Sequence, residues 1–302
     1  MVSEAPDENN HKLDLNVVLI DHYDSFTYNL VDQLSQICVR PPVVLAADAA
    51  DSWKELLEVS GLESHEVDAI VLSPGPGNPE MDGKLGVSII SENPELPILG
   101  VCLGHQIMGY TYGASVERSP EPIHGQVREL RRLDVDDPLW TGVGTTINVT
   151  RYHSLHVINT ADTPLVPSST CLSNDGMVAL VMSMKHKEFP HYGVQFHPES
   201  IGTPLGIELI RNFCSLAADL SPKKVTFKSD CIPASASPRK LDRDASQTVF
   251  VHELNCIKGV DPVSLMAEIY NASKHCFWLD GDQRMNPDAT VQSRISVLGS
   301  SS

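Results

Sequence analysis

Basic residues are scarce in this chain. Its 302 residues include 22 lysines and arginines against 39 aspartates and glutamates, a net charge of −17. So acidic a surface is repelled by phosphate backbones and by anionic lipid, which argues against nucleic acid or a membrane as partner. Long apolar runs are missing as well. None reaches the ~20 residues that a membrane-spanning helix needs. The opening residues, MVSEAPDENN, have neither the apolar run of a secretory signal nor the basic character of a transit peptide. The expected compartment is therefore the cytoplasm, with a plastid as the alternative. The seven cysteines show no C-x-x-C pair, which fits free thiols in a reducing compartment. The twelve histidines show no H-E-x-x-H spacing, so no metal site is read. There is no internal repeat. With 41% hydrophobic and 20% charged residues, what is present is the composition of a globular protein.

The chain is organised around PILGVCLGHQIMGY, residues 97–110. Residues 97–101 form an apolar run of strand length, and residues 104–110 read as the start of a helix. Cys102 stands at the join, with Gly100 and Gly104 two residues to either side. Small residues let the backbone turn sharply there and hold the side chain up and exposed. The helix N-terminus behind it offers free N–H groups and partial positive charge, which favour a thiolate. A lone cysteine would more often be a buried structural residue. The glycine pair and the strand-to-helix context point instead to a nucleophile.

Upstream, NVVLI (residues 16–20) reads as a buried first strand. Phe26, Leu30, Leu34 and Ile37 recur at helical steps, with Asp24 or Ser25 as a cap. Residues 42–46 and 69–72 supply two more strands around a helix at 52–59. This alternation predicts an α/β fold: an open, mostly parallel sheet with helices on both faces. After Leu72 comes SPGPGNPE (residues 73–80), a loop at a strand's carboxyl end, where open α/β sheets bind ligands. Its glycines can present bare N–H groups, although a rigid turn would have the same composition. Residues 123–158 are β-rich and alternating, and predict added antiparallel strands. Residues 178–184 read as a further strand, and 193–196 as one that delivers His197 to its end. Pro198 keeps His197 extended, so His197 and Glu199 share a side. Residues 205–216 read as a closing helix.

Cys102, His197 and Glu199 together supply the parts of an acyl-transfer machine: a thiolate, an imidazole proton carrier and an orienting carboxylate. The N–H of Leu103 and a glycine N–H from Gly75 to Gly77 are the candidate oxyanion donors. A Ser154–histidine dyad, beside His153 and His156, is a weaker alternative.

SPGPGNP, GVCLGHQ and GVQFHPES, in this order and spacing, resemble the class I glutamine amidotransferase family over about residues 16–218. The resemblance implies a glutaminase in which Cys102 forms a γ-glutamyl thioester and His197 and Glu199 complete the triad. It places Gly75, Pro76 and Gly77 at the glutamine-binding and oxyanion loop, Gln106 at a glutamine-contacting position, and Ser154 and Leu155 at the substrate's backbone end. DHYDSFTYNL and TRYHSL are similar to the glutaminases of the chorismate-using enzymes. That similarity implies an ammonia acceptor in the form of a chorismate-binding synthase domain or subunit. HGQV departs from the HGK more usual in the family after the nucleophile helix, at a position that bears on partner geometry.

The composition shifts from residue 220 to a Ser-, Pro-, Lys- and Asp-rich linker reaching 247. Strand-like TVFVHEL, FWLD and ISVLG and a helix at 263–273 follow. FWLD with SRISVLG is similar to the opening of a chorismate-binding synthase subunit. The expected organisation is a disordered tail at 1–15, the amidotransferase domain at 16–219, the linker at 220–247 and an incomplete α+β start of a synthase domain at 248–302. That arrangement resembles the N-terminal part of a bifunctional aminodeoxychorismate synthase. The alternatives are the anthranilate synthase glutaminase and a non-catalytic interaction subunit. No cofactor is expected in this chain, and Mg2+ only in the absent synthase part.

Overall fold

The computed structural model describes residues 12–133, 136–158, 160–173, 176–221, 275–279 and 296–300. Its first half alternates strand and helix. β1 (Val17–Asp21) leads to α1 (Thr27–Ile37), β2 (Val43–Ala46), α2 (Trp53–Ser60) and β3 (Ala69–Leu72). The short α3 (Pro79–Asp82), then α4 (Lys84–Glu92), β4 (Ile98–Val101) and α5 (Leu103–Thr111) follow. The second half is mostly β: β5 (Ser115–Arg132), β6 (Thr146–Ile158), β7 (Leu165–Leu172), β8 (Ala179–His186) and β9 (His191–Val194), closed by α6 (Gly206–Leu220).

The nine strands form one sheet in the order β2-β1-β3-β4-β9-β8-β7-β5-β6. From β2 to β9 every neighbour pair is parallel, and from β9 to β6 every pair is antiparallel. The open α/β sheet with helices on both faces is thus present, and the antiparallel half extends it. Strand alternation decides which residue meets which helix layer. Val17 and Leu19 of β1, with Val71 of β3, pack in the cluster that holds Leu30, Leu34 and Ile37 of α1 and Phe213 of α6. Val18 and Ile20, with Ile70 and Leu72, face the opposite way, onto Leu56 of α2, Ile89 of α4 and Ile107 of α5. A strand buried on both faces has no polar face to show, so NVVLI and AIVL read as continuous apolar runs.

Several local details differ from the sequence expectations. Neither Asp24 nor Ser25 caps α1, which starts after Phe26 without a side-chain cap. The Asp24 carboxylate accepts instead from the Phe26 N–H, at 2.8 Å, and shapes the preceding turn. The expected closing helix is longer, running to Leu220. The amphipathic α4 and the strand β7 were not expected at all. β7 is irregular because its Pro167 and Ser169 interrupt the register with β8.

In the second compact unit, residues 239–302, the described part is an antiparallel pair. β10 (His275–Leu279) runs against β11 (Ser296–Ser300), with Phe277 opposite Leu298. The two strands overlap the expected FWLD and ISVLG strands. The expected TVFVHEL strand, the helix at 263–273, the tail up to residue 11 and the linker beyond residue 221 lie outside the described residues. Among the described residues, no helix is long and apolar enough to cross a membrane.

Candidate functional site

The site lies at the carboxyl ends of the parallel strands, where β4 gives way to α5. Gly100 and Gly104 make that junction possible because the backbones touch there. A Cβ on Gly104 would fall 2.3 Å from the Leu72 carbonyl oxygen, and one on Gly100 would fall 2.4 Å from the Gly104 carbonyl oxygen. Between them Cys102 takes φ +51° and ψ −97°, a region that side-chain-bearing residues rarely adopt. Such strain costs on the order of 1–3 kcal/mol and persists only where the surroundings hold it. The turn is as expected, but the exposure is not. The Cys102 side chain is buried, at 6% exposure, because β6 passes over it and brings the Tyr152 carbonyl oxygen to 3.8 Å from Sγ.

His197 and Glu199 follow β9. Nδ1 of His197 lies 2.6 Å from Oε1 of Glu199, with both side chains buried. The His197 backbone is clamped on each side. Its N–H donates to Thr150 O at 3.0 Å, and its carbonyl accepts from Thr203 Oγ1 at 2.7 Å. Phe26 and Tyr152 present ring edges to the imidazole at 6.1 and 6.2 Å between centroids. Burial, the largest influence, pulls the His197 pKa down. The Glu199 charge and the adjacent Cys102 outweigh it and raise the pKa well above the ordinary value. Among the described residues, the buried Nε2 has no hydrogen-bond partner. It is the ring nitrogen that faces away from Glu199 and is free to exchange a proton with the thiol, a contact that commonly tightens only once substrate is bound.

The loop after β3 borders the nucleophile. His22 N–H donates to Ser73 Oγ at 2.9 Å, and Ser73 Oγ–H donates to Pro74 O at 2.6 Å, which ties this loop to the one after β1. Gly75 packs so closely that a Cβ would sit 2.5 Å from His22 Cβ and 3.0 Å from a Leu103 methyl. Gly77 has φ +101°, and its following N–H, on Asn78, donates to Asp82 Oδ2 at 2.9 Å. Pro76 and Gly77 are exposed. Leu103 is the first residue of α5, so its N–H belongs to the turn that has no acceptor within the helix.

Gln106 is buried, and its Nε2 donates to Leu155 O and to Gln195 Oε1, both at 3.1 Å. This links α5 to β6 and to the segment after β9. Ser154 is exposed, and Leu155 is half-buried beside it. The Ser154 hydroxyl meets His124 Nε2 of β5 at 3.4 Å rather than a histidine of its own strand. His153 is occupied elsewhere. Its Nδ1 donates to Leu155 O at 2.7 Å, and its Nε2 accepts from Arg151 Nε at 3.1 Å. Burial and then Arg151 push its pKa down to about 3.

Cys102, His197, Glu199, Leu103 and Gly75 are thus brought together, and Gln106 and Leu155 meet beside them. Sequence reasoning missed Thr150, Thr203 and Gln195. Thr150 opens TRYHSL, Gln195 lies within GVQFHPES two residues before His197, and Thr203 follows that motif. A buried cysteine beside a buried imidazole–carboxylate pair and a helix N-terminus can attack a carbonyl and hold the resulting oxyanion.

The sequence matches the family described as Glutamine amidotransferase class-I over residues 18–216, more than half of the chain. An aminodeoxychorismate synthase of Streptomyces griseus is 35% identical over 297 residues, covering 95% of this chain. The chain spans only 38% of that relative's length. Anthranilate synthase component 2 of Saccharolobus solfataricus is 36% identical over 206 residues, covering 67% of this chain and 98% of that one. Among solved structures, a putative GMP synthase protein of Thermoplasma acidophilum is 25% identical with a TM-score of 0.57, covering 69% of this chain and 96% of that one.

Proposed function

The chain belongs to the class I glutamine amidotransferases, and from that premise we propose that residues 16–219 hydrolyse glutamine to glutamate and ammonia, and that the ammonia aminates chorismate to 4-amino-4-deoxychorismate on a synthase domain or subunit. The observation that carries the glutaminase reading is the buried His197–Glu199 pair beside Cys102 at the head of α5.

In this reading His197 Nε2, whose raised pKa favours the imidazolium, already holds the proton of the Cys102 thiol as the sulfur attacks the carboxamide carbon of glutamine. The new C–S bond pushes the carbonyl electrons onto oxygen. The oxyanion is held by the Leu103 N–H and by an N–H from the Gly75–Gly77 loop. Collapse breaks the C–N bond, and His197 passes its proton to the leaving nitrogen, which departs as ammonia. Water then adds to the γ-glutamyl thioester, with His197 taking its proton, and glutamate leaves as the thiol re-forms. Glu199 keeps the imidazole oriented and balances its charge throughout. In this reading Ser154 and Leu155 line the backbone end of the substrate, with its α-amino and α-carboxylate groups, and Gln106 contacts the glutamine.

The choice of acceptor rests on the alignments. Those with the two Streptomyces aminodeoxychorismate synthases extend past the amidotransferase, to 95% and 94% of the chain. The anthranilate synthase relatives supply a second reading at similar identity, in which the ammonia serves anthranilate formation. The experiment is to supply the purified protein with glutamine, chorismate and a stand-alone synthase subunit of each kind and to identify the aminated product. 4-Amino-4-deoxychorismate supports the proposal. Anthranilate alone replaces it with the second reading, and the absence of glutamine hydrolysis with either subunit refutes both.

A further inference from the structure

Gln195 has no part in the triad, yet it is fully buried and its side-chain Nε2 donates to Cys102 Sγ at 3.6 Å. The direction of that bond follows from its neighbours. Leu155 O is a backbone carbonyl and can only accept, so the Gln106 atom facing it at 3.1 Å is the amide nitrogen. That same nitrogen faces Gln195 at 3.1 Å, so the Gln195 atom there must be the accepting oxygen. The other end of the Gln195 carboxamide, the one against the sulfur, is therefore the NH2 group. A flipped amide would set NH2 against NH2 and oxygen against sulfur, which the network rejects. Leu155 O also accepts from His153 Nδ1, and His153 Nε2 accepts from the fully buried Arg151, so the fixed end is anchored twice.

We propose that Gln195 is a further member of the nucleophile's machinery: its carboxamide N–H, locked in direction by Gln106 and Leu155, holds the Cys102 sulfur in its reactive form and aim. The proposal rests on Cys102 being the nucleophile of the glutaminase read above. A donor on the sulfur becomes stronger as negative charge gathers there, because hydrogen bonds to ionised acceptors exceed neutral ones. The sulfur carries charge at two points, before it attacks and as it leaves the hydrolysed thioester, and a donor that keeps its own proton serves both while His197 moves protons to nitrogen and from water. The contact also fixes the sulfur in a pocket where another polar neighbour, Tyr152 O at 3.8 Å, can only accept.

Two substitutions of similar size test this. Gln195→Glu keeps an oxygen for Gln106 to donate to but turns the donor on sulfur into a negatively charged acceptor. Gln195→Met removes the donor without adding charge. The primary readout is the second-order rate at which iodoacetamide alkylates Cys102, a reaction of the sulfur that needs no glutamine. Its failure is thereby separable from failure of the glutaminase reading, which Cys102→Ser addresses. Alkylation and kcat for glutamine are expected to fall about tenfold or more in both variants, the size of a hydrogen bond to a charged group, with Gln195→Glu the worse. KM should stay within about twofold, and the melting temperature close to that of the unsubstituted protein. Alkylation within twofold of the unsubstituted rate in either folded variant overturns the proposal. So does a loss confined to KM, which would make Gln195 a substrate contact. A measurement free of folding effects uses the unsubstituted protein: the Gln195 side-chain amide resonances should move when Cys102 is alkylated, and unmoved resonances overturn the proposal.

Discussion

Nδ1 of His197 stands 2.6 Å from Oε1 of Glu199, and this short contact between two buried side chains leaves Nε2 as the only ring nitrogen free to move protons. His197→Ala should therefore lower glutamine hydrolysis on the order of 10²-fold or more, because the proton carrier is gone. Glu199→Gln should cost less, since the amide can still hold the ring while it loses the charge that raises the imidazole pKa. Steady-state rates of glutamate release decide the order. A Glu199→Gln enzyme slower than His197→Ala would reverse the assigned roles.

Cys102→Ser should abolish glutamine hydrolysis almost completely. A hydroxyl in the same strained turn is a far weaker nucleophile than a thiolate. Ammonia-dependent amination by an added synthase subunit should continue. Residual glutaminase above a few per cent would place the nucleophile elsewhere.

The elbow makes a prediction about stability as well. Gly104→Ala would set a Cβ 2.3 Å from the Leu72 carbonyl oxygen, and neither α5 nor β3 can yield without moving the other. The expected loss is about 3 kcal/mol, the upper end of ordinary overpacking. Urea denaturation measures it. By contrast, Gly113→Ala faces nothing within 4 Å and should cost only the strain of its φ of +86°.

How much of this was legible in the sequence depended on what each feature needed to be seen. β1, β3 and β4 are buried on both faces, so their apolar runs announce them. The elbow was legible because Gly-x-Cys-x-Gly records two backbone contacts directly in residue identity. The burial of Cys102 was not, since its roof is the Tyr152 carbonyl, fifty residues away and independent of side-chain type. Gln195 escaped notice for a similar reason. A glutamine inside a strand-like run has no periodic signature, and its role appears only once Gln106 and Leu155 are placed against it. β7 was missed because Pro167 and the serines at 168 and 169 look like a loop. In the fold those two serines are buried, each meeting Ser183 of β8.

The buried histidines set an acid limit. Burial above all pushes the pKa of His22 and His191 down to about 4 and that of His105 and His153 to about 3. Above the unfolded value near 6.5 these groups are neutral in both states, and their contribution to stability is complete. As pH falls below 6.5 the unfolded chain takes up protons that the folded chain refuses, so stability is lost down to the folded values. Each such group should contribute about 1.4 kcal/mol per pH unit in that window. His197 works in the opposite sense. Its raised pKa adds stability that is full below 6.5 and disappears as pH rises through the folded value. Thermal midpoints measured from pH 8 to pH 5 should fall on the acid side, and His105→Gln should make that fall shallower. An unchanged slope in His105→Gln would mean that His105 is protonated in the folded protein.

The last prediction concerns where the glutaminase ends. α6 packs Leu209, Ile210, Phe213, Cys214 and Ala217 into the same cluster as α1 and the parallel strands, so it cannot be removed without opening the core. The helix is finished by Ser221, whose N–H donates to Ala217 O at 2.9 Å and whose hydroxyl donates to Asp68 Oδ1 at 2.5 Å. Every site residue named above lies before that point. β10 and β11 pair with each other, and a two-stranded ribbon by itself is marginal in water. A chain ending at Ser221 should therefore keep its kcat and KM for glutamine within about twofold and unfold at nearly the same temperature, whereas one ending at Gly206 should not fold. Loss of glutamine hydrolysis in the chain ending at Ser221 would show that residues 222–302 complete the glutaminase, and the boundary at 219 would have to move.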